Sequence, residues 1–238
     1  MKILSLNVCC GELYDPLPLR RLTAQAEKIL FLDADVLCLQ EVNNPLVRHV
    51  LERRLGSRYR FLTAPVSTKI ILSRVLAFSL FVLVNRSVVL FLGLLWVWLF
   101  FLGTVEGGLA VLVSHHIPVC DHGFVPFREQ RGDVLNLFQK RGVLWCETPS
   151  GIIGNTHLNR HHRHEAQLRQ LATAKDWWVL AGDLNTDRIE PIGMERLPTD
   201  PTWGNDTIDH VFVRDDNGWK TRLVDLCSDH RGIFTVKM

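Results

Sequence analysis

Six short motifs in this chain carry residue types suited to cleaving a phosphate ester. In order they are Leu6-Asn7-Val8, Leu39-Gln40-Glu41-Val42, Asn155-Thr156-His157-Leu158, Gly182-Asp183-Leu184-Asn185, Ile208-Asp209-His210 and Ser228-Asp229-His230. Phosphodiester hydrolysis needs a hard divalent cation at a phosphate oxygen, and Mg²⁺ prefers carboxylates while keeping several waters. It also needs a base for the attacking water and donors for the extra charge of the pentacovalent state. Carboxylates at strand ends with a positioned histidine meet that list. Singly, each motif has a plainer reading. An Asp-His pair is commonly a surface turn, Gly-Asp-Leu-Asn suits a turn, and Asn7 would serve as a buried amide capping a loop.

The elements that position these residues follow from apolar periodicity. Strands are expected at Ile3 to Val8, Val36 to Leu39, Tyr59 to Ala64, Leu109 to Ser114, Val143 to Glu147 and Ile152 to His157. Further strands are expected at Trp177 to Ala181, Ile208 to Val213 and Ile233 to Val236. Helical spacing appears over Arg20 to Leu32, Pro45 to Leu55 (with Gly56 as a stop) and Arg163 to Ala174. Strands interspersed with helices predict a layered α/β or α+β domain. Glu41 and Asp183 then follow buried strands, and polar groups at such ends converge on one rim of a sheet.

At 238 residues the chain suits one substantial core. A net charge of +2 carries no global signature of a nucleic-acid binder, although a local basic groove would suffice for one. The six cysteines, Cys9, Cys10, Cys38, Cys120, Cys146 and Cys227, form no C-x-x-C pair. They read as free thiols of a reducing compartment. No signal peptide is expected, because Met1 to Val8 reads as a first buried strand.

One stretch, Ile70 to Val105, is almost without charge. Ser87 to Val105 would span about 28 Å as a helix, near the hydrocarbon thickness of a bilayer. The motifs flank this stretch, so one active site requires it to return to its own side. A membrane-associating hairpin turning at Asn85-Arg86-Ser87, or a shallow monotopic element, is the expectation. Basic residues upstream, from Arg53 to Arg74, suit either anionic cytoplasmic lipid or a solvated helix end. This predicts membrane association with the catalytic domain facing the cytoplasm.

In order and rough spacing, Asn7, Gln40-Glu41, His157, Gly182-Asp183-Leu184-Asn185, Asp209 and Asp229-His230 resemble the endonuclease/exonuclease/phosphatase superfamily. The resemblance covers most of the chain outside 70–105. It implies a single catalytic domain over 1–238, an α/β (α+β) four-layer sandwich of two packed β-sheets flanked by helices, with 70–105 inserted. It further implies Glu41 as the principal Mg²⁺ ligand, Asn7 beside it, and Asp229 binding the metal or orienting its water; Mn²⁺ would substitute. His230 would be the general base, held in its tautomer by Asp209. Asp183 and Asn185 would position nucleophile and phosphate, and His157 would act on the leaving-group side. His210 stands where relatives often carry an aromatic residue and receives no role.

A narrower resemblance links Glu106-Gly107-Gly108-Leu109 to Ser114, Pro118, Pro126-Phe127 and Gln139-Lys140-Arg141-Gly142-Val143-Leu144-Trp145 to the neutral sphingomyelinase branch, departing by one basic residue beside Gly142. It implies a phosphodiesterase releasing phosphocholine from sphingomyelin or a related choline phospholipid, with the bilayer as partner. The alternatives are a membrane-tethered endonuclease acting on nucleic acid, a phosphoinositide phosphatase, and a non-catalytic membrane module. A zinc site at His157, His161, His162 and His164 lacks a defined fourth ligand. Thr202-Trp203 is read equally well as cleft lining and as packing.

Overall fold

The computed structural model describes residues 1–8, 18–42, 45–64, 108–128, 141–159, 164–187, 189 and 193–238. Among these described residues, twelve strands form two six-stranded sheets. The first runs in the order β11 (Trp219–Val224), β12 (Gly232–Lys237), β1 (Lys2–Asn7), β2 (Val36–Gln40), β4 (Ala110–Ser114) and β3 (Tyr59–Thr63). The second runs β5 (Asp121–Pro126), β6 (Gly142–Thr148), β7 (Gly151–His157), β8 (Trp177–Asp183), β10 (Asp209–Val213) and β9 (Glu195–Arg196). Each sheet has one parallel pair, β1 with β2 and β7 with β8, and the other pairings are antiparallel.

Period-two alternation decides which side chains meet across the sheets. Ile3, Val36 and Cys38 pack against Cys146, Ile153, Val179, Ala181, Val211 and Val213 in a core between the two sheets. The alternate residues, Leu4, Leu6, Leu37 and Leu39, turn outward onto α1 (Pro18–Leu32) and α2 (Pro45–Leu55) through Leu22, Ala26, Ile29, Leu51 and Leu55. On the outer face of the second sheet, α3 (His164–Ala174) lays Leu168 and Leu171 against Val143, Trp145, Trp177, Leu180 and Phe212. Among the described residues the result is an α+β sandwich of two mixed sheets with three helices on the outer faces.

The helices correct one expectation. They have 15, 11 and 11 residues, against about 20 needed to cross a bilayer. Among the described residues, no helix is long and apolar enough to cross a membrane. Charged residues explain why: Arg20, Arg21, Glu27 and Lys28 interrupt α1, and Arg48, Glu52, Arg53 and Arg54 interrupt α2. The stretch 70–105 lies outside the described residues. The described residues thus supply no crossing helix for the expected membrane localisation and cytoplasm-facing orientation, and the hairpin expected at 70–105 is not among the elements of the described fold.

Three strands had no counterpart in the sequence reading: β5, β9 and β11. All three are edge strands and largely half-buried or exposed, so each lacks the apolar run that marks a central strand. Among the described cysteines, Cys38, Cys120, Cys146 and Cys227 are free thiols, the first and third deeply buried.

Candidate active site

The same alternation that builds the central core places polar residues at one end of it. Asn7 shares a face with Ile3 on β1, and Asp183 shares one with Val179 and Ala181 on β8. Asp209 lies in step with Val211 and Val213 on β10, and His157 in step with Ile153 on β7. Strand register then brings them to one level: His157 pairs with Asp183 across β7–β8, and Asp209 pairs with Asp183 across β10–β8. The parallel approach of β7 to β8 needs Gly182, at φ +151°, because a Cβ there would lie 2.0 Å from the Thr156 carbonyl oxygen.

Glu41 reaches this face by leaving the strand. Continued alternation after Gln40 would turn it toward the helices, but its backbone adopts φ +60°. Its Oε1 accepts from Asn7 Nδ2 at 3.2 Å, and the same amide donates to Asp183 Oδ2 at 3.0 Å. Asn185, at φ +53°, donates its backbone N–H to Asp183 Oδ1 at 2.8 Å and its side-chain amide to the Leu158 carbonyl at 2.9 Å. Two non-glycine residues in the left-handed region at one site is the kind of local strain that functional constellations retain.

His230 lies on the opposite flank. Its Nδ1 is 2.8 Å from Asp209 Oδ2, which fixes the ring and leaves Nε2 on the far side, 4.0 Å from Asp229 Oδ1. Ser228 ties this turn to β1, donating its hydroxyl to the Asn7 carbonyl at 2.7 Å. Thr202 Oγ1 accepts from the backbone N–H groups of Ile208 and Asp209, at 3.2 and 3.1 Å, anchoring the start of β10. His157 Nε2 stands 3.5 Å from Asp183 Oδ2. Asn7, Glu41, His157, Asp183, Asn185, Asp209, Asp229 and His230 thus form one connected constellation. Arg160, His161, His162 and Arg163 lie outside the described residues.

The electrostatics of this constellation call for positive charge. Burial, and then the neighbouring charge of Asp209, push the Asp183 carboxyl up to about 7, against the opposing influence of His230. For His230, burial favours the neutral ring. The hydrogen bond and charge of Asp209, with the charges of Asp183 and Asp229, more than offset it and carry the imidazole up to about 9. Asp209 Oδ1 is buried without a hydrogen-bond partner. Oxygens of Asp183 and Asp209 and a ring nitrogen of His230 lie within 4.8 Å of one another, a buried triad able to coordinate a divalent cation. An anion-rich cluster of carboxylates with an unpartnered Asp209 oxygen fits a hard divalent ion.

His210 faces away from the site. It is buried, with Nε2 at 2.9 Å from the Thr186 carbonyl, and burial drives its pKa down to about 4. It is therefore a neutral donor that pins the segment after Asn185. Two further contributors are Asn155, present in the sequence only as part of the His157 motif, and Trp203, which reads there equally as cleft lining and as packing. Asn155, from the second sheet, donates to the Leu39 and Ala110 carbonyls of the first at 2.8 and 3.0 Å, and accepts from Gln40 Nε2 at 2.7 Å. Its position two residues before His157 was the one available signal. Trp203, 40 % exposed, stands beside His230 at the lip of the site.

A family model described as the endonuclease/exonuclease/phosphatase family matches residues 4–230. No curated protein matches the sequence. Among solved structures, TDP2 of D. rerio complexed with single strand DNA product is similar at TM-score 0.66 and 15 % identity, over 99 % of this chain and 97 % of that one. Truncated Caenorhabditis elegans TDP2 gives TM-score 0.64 at 17 % identity, over 98 % and 95 %. Beta toxin from Staphylococcus aureus gives TM-score 0.68 at 12 % identity, over 100 % of both chains. At these identities the likenesses show a shared fold, and they select no branch within it. With the family match spanning all six motifs up to His230, the chain belongs to the endonuclease/exonuclease/phosphatase family.

Proposed function

We propose that this protein is a divalent-metal-dependent phosphodiesterase acting on a phosphodiester of nucleic acid. The observation that carries the reading is the buried Asp209–His230 pair, 2.8 Å apart, set beside the Asp183 carboxylate and its Asn7 and Asn185 donors. The nucleic-acid assignment draws on the TDP2 likeness, one member of which holds a single-strand DNA product. The choline-phospholipid reading rests on the sphingomyelinase-like motifs and on membrane association, for which the described residues supply no crossing helix.

Glu41, Asn7 and Asp229 would hold Mg²⁺, or Mn²⁺ in its place, with Asp183 near enough to share the load. When bound, the ion supplies a Lewis acid at the phosphate, and its charge offsets the carboxylates that keep a proton on His230. His230 Nε2 then takes a proton from the attacking water while Nδ1–H stays on Asp209, which fixes the tautomer. The water oxygen forms a bond to phosphorus as the bond to the leaving oxygen breaks. Asp183 and Asn185 orient the nucleophile and phosphate, and His157 donates toward the departing oxygen. A dry, preorganised set of donors is where such stabilisation is strongest.

The test uses end-labelled single-stranded DNA and supercoiled plasmid, with Mg²⁺, Mn²⁺ or EDTA, beside phosphocholine release from sphingomyelin micelles. Metal-dependent DNA cleavage that disappears in His230→Ala is expected. Headgroup release with DNA left intact would move the substrate to lipid, and inertness toward every phosphodiester would overturn the enzymatic reading.

A further inference from the structure

We infer that Trp203 is a positioning residue for the metal site, acting through its indole N–H on Asp229. The indole Nε1 donates to Asp229 Oδ2 at 3.2 Å. Asp229 sits on a Ser-Asp-His turn rather than inside a strand, its side chain is 35 % exposed, and its Oδ1 also accepts from the Ser228 hydroxyl at 3.4 Å. Holding one carboxylate oxygen on the indole leaves Oδ1 facing the His230 side, 4.0 Å from Nε2. An exposed carboxylate that must meet an ion gains most from a neighbour that selects its rotamer, because ordering it at binding costs side-chain entropy.

The backbone explains how a partly exposed tryptophan can impose that geometry. Trp203 and Asp206 exchange backbone hydrogen bonds, Trp203 N–H to the Asp206 carbonyl at 3.0 Å and the reverse at 2.8 Å. Gly204 closes this tight loop at φ +54°. Trp203 also pairs with His230 in an isolated antiparallel bridge, and Arg231 donates its N–H to the Thr202 carbonyl at 2.7 Å. The indole ring stands 6.4 Å from the His230 ring, tilted by 36°. The loop that anchors Asp209 through Thr202 is thereby the loop that fixes Asp229 through Trp203. One segment of seven residues before Asp209 sets both flanks of His230.

This inference rests on the metal-dependent reading above, and Mn²⁺ binding followed by the electron paramagnetic resonance of the free ion tests the two separately. The Trp203→Phe protein keeps an aromatic ring and loses only the N–H donor. Its dissociation constant for Mn²⁺ is expected to rise about tenfold, the lower end of what outer-shell partners contribute. In an Asp229→Asn background the same substitution is expected to change nothing further, and Trp203→His, which retains a ring N–H, to recover part of the loss. An unchanged Mn²⁺ affinity in folded Trp203→Phe, or an equal loss in the Asp229→Asn background, overturns the positioning role. Absence of saturable Mn²⁺ binding by the unsubstituted protein overturns the metal-dependent reading itself, and the inference with it.

Discussion

Asn155→Leu is the perturbation that most directly probes how the two sheets are held at the site. Asn155 is fully buried and makes three hydrogen bonds across the sheet interface, two as donor and one as acceptor. Gln40 Nε2, which supplies the third, also lies 3.0 Å from the Cys38 carbonyl and 3.4 Å from Ser5 Oγ, so acceptors surround it and fix its amide orientation. Leucine keeps the branched four-atom skeleton of the side chain, so the substitution leaves no cavity and removes mainly polar contacts. At about 1 kcal/mol net per bond, with the desolvation of carbonyls left behind, the loss is about 3–5 kcal/mol. A native stability of roughly 5–15 kcal/mol leaves the protein folded at 25 °C. Urea unfolding followed by tryptophan fluorescence reads the effect. With a slope of about 2.5 kcal/mol per molar, the midpoint falls by about 1–2 M at unchanged slope. A shift below about 0.4 M, worth about 1 kcal/mol on that slope, would refute the bridge as a net contributor.

Gly182→Ala forces a Cβ to within 2.0 Å of the Thr156 carbonyl and separates β7 from β8, so cleavage activity should vanish with a melting temperature lowered by several degrees. Asp209→Asn keeps the shape and loses the charge that orients His230, so kcat should fall about 10³-fold or more in a single-turnover DNA assay while circular dichroism stays unchanged. His210, held to about 4 when folded, stays neutral while the unfolded chain takes up a proton near 6.5. Stability therefore falls as pH drops from about 6.5 to 4, by on the order of 3 kcal/mol in full. Urea midpoints across that window should show the slope, and His210→Phe should flatten it. Burial pushes the Cys146 thiol up to about 12 and raises Cys38 as well, so peptide mapping after native alkylation should find Cys120 modified and these two untouched until unfolding.

What the sequence disclosed and what it hid divide along a physical line. Central strands such as β1, β2 and β8 were legible because burial on both faces demands an unbroken apolar run, and Asn7, Gln40 and Asp183 stand out as the polar residues ending those runs. Edge strands β5, β9 and β11 carry no such demand and left no comparable trace. The site shows the same asymmetry. Residue types betrayed Glu41 and His230, but nothing local says that Glu41 must turn to φ +60° to face Asn7, because that conformation is imposed by the neighbouring strand. Gln40 and Asn155 are 115 positions apart, and their hydrogen bond exists only once two sheets have packed. Trp203 and Asp229 meet for the same reason, through a bridge between two loops. Hydropathy alone points to membrane association, whereas the described helices are short, charged on one side and spent on covering the sheets, and none is long and apolar enough to cross a membrane. Chemistry that depends on one residue's type can be read along a chain. Chemistry that depends on the approach of two loops, as the hold of Trp203 on Asp229 does, becomes visible only after the fold has brought them together.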